Sequence, residues 1–547
     1  MARVIDLKKY EEERKKDVEK ILDSKAIKKV VVAGPGTGKS YLFEQAIKNK
    51  RQKGGKKFLA ITFVGKLTDS LADDLAGLAE TYTLHGYARK LVLGNMKSWS
   101  YYPNMLDVIS NDLQINGINK FEIGDKNYTK RSNFYKSVGK EDVVLYALKI
   151  CEKDLSKIPV YDLILIDEFQ DFNEIEAKFI DILATKNEIL IVGDDDQALY
   201  DFKGSFSKYI RDKYSLSNKD YESHTLKFCS RCTEVIVNSL HNVIDYFVNL
   251  KRLPDRIKKD YVCYLPGKKE DSDINQYIEI WAGISPNLIA KKIAHELSNL
   301  LFYQKIKTVL IIGEGRSCKS TLSRIANKLS EIGFKNVISN DNNDLVNFDD
   351  EVLNAYKFLA GHKNRLLAWR LLVNKLKSKE RKKIIKNNFN DGNGLINSIP
   401  QDFKNIHENN LKTFIRILTS SPSVRSTIGK VSIDDLKNQI VINEKNAKEI
   451  FMDSLFKKTR FLGRPLVNLD ITVCNILGSK GLGADVVFLI GFDQGKFPVK
   501  TDPTDSEIYQ LLVSLTRAKK RIYLINTRNR QMSSFLMNID KKNYRIT

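Results

Sequence analysis

The chain has 547 residues, 42% of them hydrophobic, and carries 90 Lys and Arg against 67 Asp and Glu, a formal charge of +23. That length allows about three to four domains of ~150 residues, and no run of ~18 apolar residues or apolar leader occurs, which argues against a membrane span and a secretory signal. Six scattered cysteines suit a reducing cytoplasm, and the positive charge points to an anionic partner, most simply nucleic acid.

The first informative element is a strand at Val30, Val31 and Val32, followed by GPGTGKS at 34–40. With Ala33 ahead of it, the segment matches the phosphate-binding pattern G-x-x-x-x-G-K-[ST]. A helix is predicted from Ser40 through Tyr41, Leu42, Phe43 and Ala46, so its positive N-terminus faces the phosphates. Gly34, Pro35, Gly36, Thr37, Gly38, Lys39, Ser40 and Tyr41 are the nucleotide-binding candidates. Lys39 would carry the charge for the β- and γ-phosphates, and Ser40 would offer its hydroxyl to Mg²⁺.

Further along, Leu163–Ile166 is apolar on both faces, as a central parallel strand is, and ends in Asp167 and Glu168. Asp167 would hold Mg²⁺ and Glu168 would act as general base on the attacking water. A third strand, Ile189 to Val192, runs into a polar loop in which Gln197 would sense the γ-phosphate. Tyr200 and Phe202, beside Lys203, suit stacking on unpaired bases, the alternative being core aromatics at a domain interface.

GPGTGKS, LIDEFQD and GDDDQALYDFKGS, in this order, resemble motifs I, II and III of superfamily 1 helicases of the UvrD/Rep type. ITFVGKL, with Thr62 and Phe63, and TYTLHGYARKL, with His85, resemble the family's first DNA-contact motifs. LKFCSRCTEVIV puts Arg231 at the arginine of motif IV. GSKGLGADVVFLIG puts Ser479 and Lys480 in motif V, and LLVSLTRAKKRIYLI puts Arg517 at the arginine of motif VI. The resemblance implies two arginine fingers, Arg231 and Arg517, facing Lys39 and Glu168 across a nucleotide. It also implies DNA contacts by Thr62, Phe63, His85, Tyr200, Phe202, Lys203, Ser479 and Lys480.

The departures concern the base and sugar. No Gln precedes Gln45, where the family carries one upstream of the phosphate loop. Ser230 replaces a stacking tyrosine, Gly483 a sugar-binding glutamate and Leu477 a histidine, while Tyr41 stands where an arginine is common. Tyr41 is therefore expected to stack on the base, with selectivity for base and sugar relaxed. Three other features are discounted. Cys229-x-x-Cys232 has no companion ligand pair. GEGRSCKS at 313–320 has Cys318 where a phosphate loop needs glycine, and reads as a loop whose Arg316 or Lys319 touches DNA phosphates. The basic run Lys375 to Asn388 reads as a solvated helix face, the alternative being a duplex phosphate contact.

The expected fold class is α/β, with two RecA-like P-loop NTPase domains of parallel sheet, each interrupted by a mainly helical insertion. The first domain is expected at 1–88 and 155–222, with an insertion at 89–154. The second is expected at 223–365 and 466–547, with an insertion at 366–465. The resemblance implies an ATP- and Mg²⁺-dependent single-stranded DNA translocase and 3′ to 5′ helicase, acting on single-stranded and junction DNA in the cytoplasm. Repair, recombination and anti-phage defence are the settings such a motor serves. Because both insertions are short, the alternative is a DNA-sensing or partner-regulating ATPase subunit acting with a separate nuclease, without unwinding. A superfamily 1 RNA helicase also stays open.

Overall fold

A computed structural model describes residues 7–63, 65–199, 207–215, 220–334, 336–339, 350–361, 364–419 and 469–547. They fall into two compact units, the first drawn from Met1–Leu84, Ile158–Asn343 and Gly463–Thr547, the second from His85–Lys157 and Asp344–Leu462.

Helix α1 (Leu7–Asp23) precedes β1 (Lys28–Ala33), α2 (Lys39–Gln52), β2 (Phe58–Thr62) and β3 (Glu80–Thr83). The short strands β4 (Ser100–Tyr101) and β5 (Ser137–Val138) belong to the second unit. In the first unit there follow β6 (Leu163–Ile166), β7 (Ile189–Gly193), β8 (Glu222–Leu226), β9 (Phe228–Cys229) and β10 (Val262–Cys263). The last set is β11 (Ile278–Ile284), β12 (Thr308–Gly313), β13 (Asn336–Ser339), β14 (Asp470–Asn475), β15 (Ala484–Ile490), β16 (Ala518–Thr527) and β17 (Tyr544–Ile546).

The first unit holds a small parallel sheet of β9 and β10 and two large ones. One has six strands in the order β3-β2-β6-β7-β1-β8, and the other seven, β13-β14-β12-β15-β16-β11-β17. Every strand pair in both is parallel. This is the expected α/β class, and it shows in β6, whose residues Leu163, Ile164, Leu165 and Ile166 are all buried, as in a parallel sheet covered on both faces. In β12 the period of two divides the layers: Val309 and Ile311 join one apolar core, Leu310 and Ile312 another. The register sets Val30 beside Ile191 and Ile164 beside Ile189, so β1, β6 and β7 end at one edge. Loops after the carboxyl ends of parallel strands are where such sheets bind ligands.

The second unit departs from the expected layout. The segments around 102–135 and 353–399 share one apolar core that includes Tyr102, Met105, Tyr128, Leu353, Leu367 and Trp369. The two insertions are one body, and the second begins before 366, because Asp350–Ala360 already packs into that core. Residues 420–465 of the expected second insertion lie outside the described residues. Inside the core, Asp112 accepts from Arg370 Nε at 2.8 Å and from the Tyr135 hydroxyl at 2.6 Å, and pairs with Arg131. Burial opposes its charge, but the two guanidiniums prevail and hold its carboxyl below the ordinary value. Arg370→Met leaves Asp112 with one cation and is expected to destabilise this unit by ~3 kcal/mol, read from urea melts.

Two smaller expectations also change. GEGRSCKS is not a loop but the strand end and the start of a helix, Gly315–Ile332; Cys318 is buried there and Lys319 is exposed. The basic run forms Ser378–Asn387, with Ile384 and Ile385 buried and most of its lysines exposed. Among the described residues no helix is long and apolar enough to cross a membrane.

Candidate active site

The phosphate loop leaves β1 at Ala33 and enters α2 at Lys39. Gly36 and Gly38 have φ of +71° and +91°, a region glycine enters at little cost. Thr37 tightens the turn by donating its hydroxyl to the Gly34 carbonyl at 2.8 Å. Lys39 Nζ then lies 2.8 Å from Glu168 Oε1 and 4.0 Å from Asp167 Oδ1. Ser40, in the first turn of α2, is exposed.

The two carboxylates follow β6. Glu168 sits at φ +52°, and its N–H donates to Asp167 Oδ1 at 2.9 Å. Gln170 Nε2 donates to Glu168 Oε2 at 2.5 Å, while Gln170 Oε1 accepts the Asp194 N–H at 2.9 Å. Glu168 is thus gripped at both oxygens. Burial pushes Asp167 up to about 6, against the pull of Lys39. Burial also works on Glu168, but Lys39 and Lys480 overcome it and hold that carboxyl far below its ordinary value. A group that drew Lys39 away would raise the basicity of Glu168.

The opposite wall comes from the segment after β8 and from the second sheet. The Ser230 N–H and hydroxyl donate to the Gly36 carbonyl at 2.9 and 3.0 Å. A methyl group on Gly36 would stand 2.2 Å from Arg231 Cβ, so the close approach requires glycine there. Tyr261 packs on Gly34 and donates its hydroxyl to the Pro35 carbonyl. The Cys232 N–H donates to Cys229 Sγ at 3.3 Å, a local turn that carries Arg231 toward the loop. Arg517 follows the helix Asp505–Thr516 and donates to Gln197 Oε1 at 2.8 Å, Leu482 O at 3.0 Å and Val513 O at 3.1 Å. Burial, with Arg231 nearby, pushes its guanidinium down to about 10, so it stays cationic at neutral pH. Gln197 in turn donates to Asp194 Oδ2 at 2.6 Å.

These groups surround one cavity of about 400 Å³, whose walls include Lys39, Ser40, Asp167, Glu168, Arg231 and Arg517. Cations and a gripped carboxylate around a glycine-rich loop suit a polyphosphate and a water. The Ser40 hydroxyl and the Asp167 carboxylate are hard oxygen donors on the same walls, and they fit Mg²⁺. The acidic cluster Asp194, Asp195 and Asp196 does not offer a second metal site. Lys259 Nζ stands 2.6 to 2.7 Å from an oxygen of each, and Arg211 and Arg256 add their charge.

The residues expected to touch DNA are placed differently. Lys480 is buried, and its ammonium donates to Asp171 Oδ1 at 2.6 Å and to the Gln197 carbonyl at 2.7 Å. Ser479 is buried and donates to the Ile476 carbonyl at 2.6 Å. Thr62 is buried at the end of β2, and half-buried Phe63 stands 5.9 Å, centre to centre, from Phe172. In this conformation Lys480, Ser479 and Thr62 present no exposed side chain to a strand; Lys480 instead ties the second sheet to the loops after β6 and β7. His85 is half-buried in the helix Leu84–Asn95 of the second unit. Tyr200, Phe202 and Lys203 lie outside the described residues.

Sequence reasoning passed over Gln170, Asp171, Lys259 and Tyr261. Gln170 and Asp171 stood in the quoted LIDEFQD and were legible as polar residues beside a strand end. Lys259 and Tyr261 carried no local signal, because the acidic cluster and the phosphate loop they meet lie 63 or more positions away in the chain.

Residues 15–203 match the family model described as an AAA domain. "DNA helicase II" of Haemophilus influenzae is 42% identical over 84 residues, 15% of this chain and 11% of that protein. "Probable DNA helicase II homolog" of Mycoplasma capricolum is 23% identical over 425 residues, 66% of this chain and 55% of that protein. "ATP-dependent DNA helicase PcrA" of Leuconostoc citreum is 22% identical over 427 residues, 68% of this chain and 55% of that protein. The aligned part of the chain therefore spans about half the length of the latter two and less of the first.

Proposed function

Starting from a UvrD/Rep-like chain of superfamily 1, we propose that this protein is an ATP- and Mg²⁺-dependent motor on single-stranded DNA that separates strands with 3′ to 5′ polarity. The observation that carries the reading is the single cavity that gathers Lys39 and Glu168 from the first sheet with Arg231 and Arg517 from beyond it. Lys39 binds the β- and γ-phosphates, Glu168 takes a proton from water, and the two guanidiniums meet the charge that develops on the transferred phosphoryl group. Mg²⁺ held by Ser40 and Asp167 supplies charge neutralisation on the phosphates when bound.

Coupling to movement follows from Gln197. Its side chain accepts from Arg517 and donates to Asp194, and its carbonyl accepts from Lys480. A change at the γ-phosphate thus reaches both sheets through one residue. The charge of +23 supports a polyanionic track, and junction DNA is its natural loading site. Six free, buried cysteines suit work in a reducing cytoplasm.

The test is hydrolysis by wild type and Lys39→Ala with no nucleic acid, single-stranded DNA, duplex DNA and RNA. The expected result is strong stimulation of wild type by single-stranded DNA and loss of activity in Lys39→Ala. Equal stimulation by RNA would reassign the track. No stimulation by any nucleic acid would replace the motor with a partner-regulated ATPase.

A further inference from the structure

A second cavity, of about 510 Å³, lies beside the phosphate loop, between α1, the first turns of α2 and Tyr264. Gly38 joins it to the first: it lines the phosphate cavity, and a methyl on it would lie 3.2 Å from Arg14 Nη2 and 3.8 Å from Tyr41 Cβ. A nucleotide with its phosphates at Lys39 therefore has space for its base on the far side of Gly38. The volume lies in the range of small-molecule pockets, ~300–1,000 Å³.

The contents of this cavity are telling. Arg14 Cζ lies 4.6 Å from the ring centre of Tyr264 and 5.8 Å from that of Tyr41. Tyr41 is 48% exposed. Among the described residues, the Arg14 guanidinium has the two rings as neighbours but makes no hydrogen bond or ion pair. A flat cation held by two aromatic faces, with its five N–H donors unused, marks where a flat ligand stacks and supplies donors to its edge.

We propose that this cavity is the base subsite, that Tyr41 and Tyr264 stack on the base, and that Arg14 reads a purine edge bearing two acceptors, so that GTP is used at least as well as ATP. The proposal rests on the phosphate site described above. Guanine presents O6 and N7, both acceptors, to a forked guanidinium; adenine presents N7 and an N6 amino group, which sets donor against donor. Glu11 and Glu19 on the same walls can accept from guanine N1–H and its 2-amino group. Gln45, also on the wall, is the amide that matches adenine, which keeps ATP a substrate.

The experiment compares wild type, Arg14→Gln and Arg14→Met as full chains. It measures kcat/KM for ATP and GTP with single-stranded DNA, and calorimetric affinity for ADP and GDP. In wild type, GTP should equal or exceed ATP within threefold. Both variants should lose ~10–100-fold toward GTP and GDP, the value of one bidentate contact, and stay within threefold toward ATP and ADP. A wild type that prefers ATP more than a hundredfold overturns the proposal. So does an equal loss for both nucleotides, which would put Arg14 on the sugar or phosphates. If wild type hydrolyses neither triphosphate yet Arg14→Gln still separates GDP from ADP, the base subsite stands and the motor reading falls.

Discussion

Arg517→Ala should lower nucleotide turnover about 10³-fold or more while leaving nucleotide affinity within a few-fold. An arginine that meets only the transition-state charge changes rate and not ground-state binding. Arg517 is suited to that part: it is 1% exposed, stays cationic despite burial, and is aimed by Gln197, Leu482 and Val513. Removing it also takes a donor from Gln197, Leu482 and Val513, so Arg517→Lys is the companion variant. Lysine keeps the charge but not the fork, and should recover folding while remaining well below wild-type rate. Turnover of Arg517→Ala within tenfold of wild type would move the finger to Arg231 alone. Rapid-quench measurement of the hydrolysis step, with melting curves for each variant, distinguishes these cases.

Glu168→Gln should cost turnover ~10²–10⁴-fold, the usual contribution of a general base. Its effect on binding should have the opposite sign. Lys39 is paired with Glu168 at 2.8 Å, so a triphosphate must compete with that carboxylate for the ammonium. The amide releases Lys39, and ATP should bind more tightly than to wild type. Equilibrium titration with a non-hydrolysable analogue checks the affinity, and single-turnover assays check the rate. A variant that loses affinity along with rate would show that the carboxylate orders the loop instead of acting on water.

Much of this was legible in the sequence because its signals are local. Leu163–Ile166 is read with its observed bounds, and the strands at Val30 and Ile189 lie within β1 and β7. Lys39, Asp167, Glu168, Arg231 and Arg517 do line one cavity. What could not be read depends on distant partners. Lys480 is assigned to DNA by its resemblance to motif V; only the fold brings Asp171 to it across 309 positions. GEGRSCKS looks like a loop because of its two glycines, yet Cys318 packs against Gly313 and the helix starts at once. The merger of the two insertions was hidden for the same reason, since neither amphipathic segment names its partner.

That merged core has a consequence for synthesis. The six-stranded sheet is complete once Leu226 has emerged, whereas Tyr102, Met105 and Tyr128 wait for Leu353, Leu367 and Trp369. At ~5–20 residues per second the delay is on the order of ten to fifty seconds. Through that interval the ribosome-bound chain carries apolar surface with no native cover, a segment for chaperones to hold. Excising 85–157 would leave the later half in that state permanently, so the unit cannot be trimmed one insertion at a time.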